Sequence, residues 1–274
     1  KFDPRITHYI TFPLKRKKKL STYWKIVREL RKENGELGVI FVNTFISALL
    51  FRLGNVKKNI GYNREGRGFL LDFSPEINYH KHYINRYAFL FNEYIGNKYV
   101  YLPELSLRYT GQKTFQFDNS HKTIALYLGG ENKEFRKYPD EYAVQLLRLL
   151  NRQGYNLLLI GDENDNIKHT QYAEEARIDH LINLTARTTI EGFINTIANV
   201  DLIITIDSSA LHIAAAVKTP FIALMGLSTS PTSTILPKVP LGRILKIENN
   251  LIREEDYIRN ITPDLILKTI SELI

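Results

Sequence analysis

The residues best equipped for chemistry stand close together late in the chain. Asp207, Ser208 and Ser209 place a carboxylate and two hydroxyls side by side, and His212 follows within about one helical turn. Small polar side chains of this kind cap a helix. Ahead of them Leu202 to Ile206 is a short β-branched apolar run, long enough for a buried strand and too short for a helix. Behind them Ala210 to Val217 is small and apolar, a helix able to pack close against a sheet. Thr219-Pro220 ends that helix, and Phe221 to Met225 is a second strand closed by Gly226. Strand, tight turn, helix, strand is the βαβ unit of a parallel sheet. Its turn offers backbone N–H groups and the positive end of a helix dipole, which suits a phosphate. Asp207 and His212 beside such a seat serve binding or chemistry. The same residues also make an ordinary capped crossover with a buried His, and the turn alone leaves both readings open.

Two further turns belong to the same edge, because ligands of parallel sheets bind outside the carboxyl ends of the strands. Gly129-Gly130 permits close backbone approach, and Arg136-Lys137 bring positive charge nearby. Gly161-Asp162-Glu163 places carboxylates where ribose hydroxyls can be held. Glycine turns, cations, carboxylates and a helix N-terminus together suit a nucleotide diphosphate. No GxGxxG follows a strand and no GxxxxGK[ST] occurs, so neither dinucleotide nor P-loop binding is supported. GxSxG and HExxH are also absent. His80 and His82 lack a third metal ligand.

The elements that must position these turns alternate along the chain. Ile6 to Phe12 reads as a strand, Ser21 opens a helix closed by Asn34-Gly35, and Val39 to Val42 is a buried strand. Thr44 to Leu53 is helical, Ile60 to Tyr62 a short strand, Asn63 to Gly68 a basic loop, and Tyr83 to Ile95 a helix. A linker spans about Asn97 to Lys122. Beyond it come strand Thr123 to Leu128, a helix from Pro139 to Arg152, strand Tyr155 to Ile160 and helix Asn166 to Ala176. Strand Leu181 to Leu184, helix Thr189 to Asn199, the βαβ unit and a terminal helix from Pro263 complete the chain. The repeated alternation argues an α/β protein with a parallel sheet covered on both faces.

Composition sets the outer bounds. The 274 residues accommodate two domains, and 44% hydrophobic with 24% charged residues describes a globular protein. Without cysteine there are no disulfides, thiolate metal sites or thiol catalysis. No secretion signal or membrane-spanning run is visible, so the expected location is cytoplasmic. The net charge is +8, with its densest cluster at Lys15, Arg16, Lys17, Lys18 and Lys19. That cluster suits an anionic membrane surface or a phosphorylated substrate, or is simply a solvated loop. No zinc-finger or RNA-binding signature accompanies it, which leaves nucleic acid the weakest reading.

The run from Asp207 to Ala216, continued by Thr219 to Gly226 and Ser230-Pro231, resembles the signature of glycosyltransferase family 9, the heptosyltransferases. Arg136-Lys137-Tyr138-Pro139 is similar to the family's basic-x-aromatic-Pro element. Asn59-Ile60-Gly61-Tyr62 with Arg64 and Arg67 resembles its acceptor-side domain. The resemblance implies a GT-B architecture of two Rossmann-like parallel-sheet domains: an acceptor-side domain over 1–115, a nucleotide-sugar domain over 120–260, and a terminal helix over 261–274 that packs back on the first domain. It implies inverting transfer of a heptose or related sugar from an ADP-activated donor to a lipopolysaccharide core or similar glycolipid. Asp207 then contacts the donor sugar, and the N–H groups of Ser208, Ser209 and Ala210 hold the diphosphate. Gly129, Gly130, Arg136 and Lys137 belong to the donor site, Arg136 near the phosphate and ribose; Asp162 or Glu163 lies by the ribose or adenine, and His212 shapes the turn. Lys15 to Lys19, Arg64 and Arg67 face the acceptor or the cytoplasmic side of the inner membrane. No metal or other cofactor is expected, since no Asp-x-Asp motif is visible.

Two departures from the family stand out. Ser209 occupies a usual Gly position. The family also opens with an apolar strand, a Gly-rich turn and an Asp proposed as general base; the expected base lies before Lys1, and the N-terminal sheet is expected to be incomplete. The alternative is a non-catalytic nucleotide-sugar-binding module without that base.

Overall fold

The computed structural model describes residues 6–12, 20–100, 105–118, 120–129, 135–226, 235–237, 239–247 and 253–274. The chain divides into two compact units, essentially 5–104 and 105–274.

In the N-terminal unit, helix α1 (Leu20–Glu33) buries Val27 and carries Arg31 and Lys32 in its last turn, where they complement the helix dipole. Strand β1 (Leu37–Ile40) and strand β2 (Lys58–Gly61) pair in parallel, Leu37 opposite Lys58 and Ile40 opposite Gly61. Between them runs helix α2 (Phe45–Leu53), capped by the Thr44 side chain, which accepts from the Ser47 N–H. Helix α3 (Tyr83–Tyr94) starts at His82, whose ring accepts from the Ile84 N–H, and it buries Leu90 against β2.

Among the described residues the C-terminal unit holds six parallel strands: β3 (Thr123–Tyr127), β4 (Asn156–Leu159), β5 (Leu181–Asn183), β6 (Leu202–Ile206), β7 (Phe221–Leu224) and β8 (Gly242–Leu245), in the order β5-β4-β3-β6-β7-β8. Helices α4 (Asp140–Arg152), α5 (Asn166–Ala176), α6 (Ile190–Ala198), α7 (Ser209–Val217) and α8 (Pro263–Ile270) accompany them. Every residue of β3, β4, β6 and β7 is buried, as a sheet covered on both faces requires. Each fully buried aliphatic side chain there, Leu126 or Ile204 for example, contributes about 1.5–3 kcal/mol. The chain runs outward from β3 to β5, then returns to β6 on the other side of β3. The crevice between the ends of β3 and β6 is therefore the topological switch point.

Several expectations need correction. Residues 6–12 are irregular and mostly exposed; among the described residues they pair with no strand. Strand β1 lies at Leu37–Ile40 instead of Val39 to Val42, leaving Phe41 and Val42 exposed. The supposed linker belongs largely to the C-terminal unit. Leu107 N–H donates to the Ala216 carbonyl, Thr110 exchanges hydrogen bonds with Asn195, and Phe115 and Phe117 pack on the core. Strand β8 is an addition. Within its own unit the terminal helix packs on α4 and β7, where Ile266 and Ile270 enter the core. No helix among the described residues is long and apolar enough to cross a membrane.

Candidate functional site

At the end of β6, Asp207 and Ser208 are half-buried and Ser209 is exposed. Ser208 is extended (φ −153°) and caps α7: its Oγ accepts from the Ala210 N–H at 3.2 Å and lies 3.0 Å from Thr205 Oγ1. The Ala210 N–H, expected to face a diphosphate, is thus shared with the cap. Ala210, Ala214 and Ala215 are fully buried, so the small residues do bring α7 down onto the sheet. His212 is half-buried on α7.

Across the switch point, Gly129 takes φ +80°, a conformation that a side chain disfavours. Gly130 lies outside the described residues. The chain returns at Arg136, whose Nη1 donates to the Asp207 carbonyl at 3.5 Å. Tyr138 anchors this segment: it is fully buried, its N–H donates to the Leu128 carbonyl at 3.0 Å, and its hydroxyl donates to the Ile261 carbonyl at 2.8 Å. Gly226, at the end of β7, matters too, since a Cβ there would come within 2.7 Å of the Phe135 carbonyl. The loop that carries Arg136 can close down only over a glycine. The sequence marks Gly226 only as the end of a strand, and the folded contact gives it this second role.

Lys137 points its charge elsewhere. Its Nζ pairs with Asp140 Oδ1 at 2.8 Å, Lys168 pairs with Oδ2 at 3.1 Å, and the Tyr172 hydroxyl donates to the same carboxylate. Burial alone would raise the Asp140 pKa, but these hydrogen bonds overcome it and hold it at about 2. Of the two adjacent cations, Arg136 reaches the turn after β6 and Lys137 is neutralised at the start of α4.

After β4, Asp162 and Glu163 are exposed. Asp162 caps a short 3-10 turn, its Oδ1 accepting from the Asn164 N–H at 2.8 Å while its own N–H donates to Asp165 Oδ2 at 2.9 Å. Asp165, absent from the expected set, is fully buried beneath this turn and engages the Tyr127 hydroxyl; burial and that carboxylate both push the Tyr127 pKa up. Next to it, His169 is fully buried with Nδ1 2.8 Å from Thr185 Oγ1, and burial pushes its pKa down to about 4.

The crevice thus joins a helix N-terminus, a guanidinium and exposed carboxylates on neighbouring strand ends. A polar groove of about 860 Å³ lined by Lys113, His121, Asn156 and Asp201 opens instead at the amino ends of β3 and β4, the edge that such sheets do not use.

In the N-terminal unit Arg64 is exposed, stacked 5.4 Å from the Tyr79 ring centre. Arg67 departs from expectation. It is fully buried, hydrogen-bonded to five neutral oxygens, and so lies in the interior rather than on an acceptor-facing surface. Lys15, Arg16, Lys17, Lys18 and Lys19 lie outside the described residues.

Comparison with known proteins gives a consistent picture. The family model "Glycosyltransferase family 9 (heptosyltransferase)" matches residues 23–255. Lipooligosaccharide heptosyltransferase 2 of Haemophilus influenzae is 26% identical over 93% of this chain and 81% of its own length. The structure of Escherichia coli ADP-heptose lps heptosyltransferase II superposes with a TM-score of 0.80 at 21% identity, over 93% of this chain and 81% of that one. The E. coli heptosyltransferase WaaC, solved with ADP-2-deoxy-2-fluoro heptose, gives 0.68 at 16% identity, over 93% of this chain and 78% of that one. These likenesses agree with an α/β fold of two Rossmann-like parallel-sheet units, the GT-B class.

Proposed function

The chain belongs to glycosyltransferase family 9, the heptosyltransferases, and from that premise we propose that it moves a heptose from an ADP-activated donor, with inversion, to a lipopolysaccharide-core acceptor. The observation that carries this reading is the reach of Arg136 to the Asp207 carbonyl across the switch point. It sets a cation against the N-terminus of α7, where a leaving diphosphate gains charge as the glycosidic bond breaks. Arg136 and the N–H groups of Ser208 and Ser209 stabilise that charge, and no metal is needed for it. Asp207 holds the sugar, and Asp162 or Glu163 the ribose or adenine. The WaaC complex with a fluorinated ADP-heptose supports the choice of donor.

The N-terminal unit takes the acceptor, with Arg64 and the run Lys15 to Lys19 meeting its phosphates or an anionic leaflet. The acceptor hydroxyl needs a base within hydrogen-bond reach. No described residue is assigned that role.

Calorimetry of the full chain with ADP and ADP-heptose, followed by transfer to heptose-deficient lipopolysaccharide, tests the reading. Binding with turnover supports it. Binding without turnover selects the non-catalytic alternative, and no binding by a folded chain removes both.

A further inference from the structure

We propose that Arg67 is a positioning residue for the acceptor: its buried guanidinium locks together the two loops at the carboxyl ends of β1 and β2. The proposal rests on the glycosyl-transfer reading above.

Arg67 is the largest fully buried side chain among the described residues. Nε donates to the Tyr62 carbonyl at 2.9 Å, just past the end of β2. Nη1 donates to the Val42 carbonyl, to the Thr44 carbonyl at 3.3 Å and to Ser47 Oγ at 3.0 Å. Nη2 donates to Asn43 Oδ1 at 2.9 Å. Four of these acceptors therefore lie in the loop after β1 and the first turn of α2. Gly61 makes the arrangement possible, since a Cβ there would meet Nη2 at 3.1 Å and the Ile40 carbonyl at 3.2 Å.

A guanidinium is costly to take out of water, and here its hydrogen-bond partners are neutral oxygens rather than a carboxylate. Filling the space alone would need only an apolar side chain. What the rigid fork adds is a fixed relative position for the carbonyls of Val42, Thr44 and Tyr62, which would otherwise move independently. Glu65 ties the same two segments again, its Oε2 accepting from the Phe45 N–H at 3.0 Å. The clamped loops lie at the sheet edge where ligands bind in such folds, with Val42, Thr44 and Arg64 exposed on them. Arg67 acts through this backbone and does not touch the substrate.

The test compares R67K, R67Q and R67A with the wild-type full chain, measuring ADP affinity by calorimetry and steady-state kinetics against acceptor. We expect ADP affinity within about twofold of wild type, and kcat/KM for the acceptor lowered roughly a hundredfold in R67Q, the scale of a small loop displacement. R67K recovers part of the loss, and added guanidinium ion restores part of it in R67A. Should R67A fail to fold, Asn43→Ala and Ser47→Ala each remove one acceptor of the clamp and shift acceptor kcat/KM in the same direction by less. Wild-type turnover with unchanged acceptor kinetics in R67Q and Asn43→Ala overturns the positioning role alone. A wild-type chain that neither binds ADP nor turns over overturns the parent reading instead.

Discussion

Arg136 and Asp207 meet through a guanidinium-to-carbonyl hydrogen bond of 3.5 Å that joins the loop after β3 to the turn after β6. The two residues are distant in sequence, and the switch-point order of the strands brings them together. A charged donor held there is worth more to an anion than to the carbonyl it rests on. Replacing Arg136 by Ala should weaken ADP binding about tenfold to hundredfold, the range of a lost charged hydrogen bond. Arg136→Lys should recover part of that, keeping the charge without the fork. Calorimetry decides the matter, and an Arg136→Ala chain that binds ADP as tightly as wild type would mean the diphosphate sits elsewhere.

Asp140 gives a prediction about acid stability. Its folded pKa of about 2 lies below the ordinary 3.8, because the Lys137, Tyr172 and Lys168 hydrogen bonds outweigh burial. The stabilisation is therefore complete above the ordinary value and is lost as pH falls from there toward 2. The side chain is 41% exposed, and solvent screening reduces the contribution to about 1 kcal/mol. Asp140→Asn should remove it, so that urea midpoints of variant and wild type differ at neutral pH and converge near pH 2.

Much of the C-terminal unit was legible in the sequence because its signals are local. Leu202 to Ile206 is buried whichever neighbour it finds, and Ser208 caps α7 by its own chemistry. The Asn166–Ala176 helix begins and ends where its own residues signal it. The misses depend on partners. The Gly242–Leu245 strand is four residues long and half exposed at the sheet edge, so only its pairing with β7 identifies it. Residues 6–12 alternate like a strand, yet alternation becomes a strand only where a neighbour supplies the ladder. Arg67 looked like a cation in a glycine-rich loop, since the carbonyls that bury it come from 42 and 44. Lys137 and Arg136 are adjacent and alike in sequence; Asp140 separates their roles.

Ser208 supplies a direct test of the turn at the end of β6. Its hydroxyl accepts from the Ala210 N–H and contacts Thr205 Oγ1. Ser208→Ala should cost about 1 kcal/mol, whereas Ser208→Gly should cost only a few tenths. For a domain of this size that Ala penalty is about 2–4 °C in Tm. Circular dichroism melts check it, and a Ser208→Ala chain that melts at the wild-type temperature would show that the hydroxyl is not what holds the helix end.

His169 makes the most distinctive pH prediction, because it is fully buried behind the turn that carries Asp162 and Glu163. Burial pushes its pKa from 6.5 down to about 4, with the Asp162 carboxylate pulling weakly the other way. Between those values the unfolded chain takes up a proton that the folded chain refuses. The contribution of the neutral ring is thus fully present above 6.5 and is lost as pH falls toward 4, after which this group adds no further slope. A difference of that size corresponds to about 3 kcal/mol. His169→Gln removes the titration and keeps a polar group for Thr185. The expected outcome is lower stability than wild type at about pH 7.5 and a gap that narrows or reverses at about pH 5. Urea unfolding at the two pH values measures this, and parallel losses in both proteins would assign the acid sensitivity to carboxylates alone.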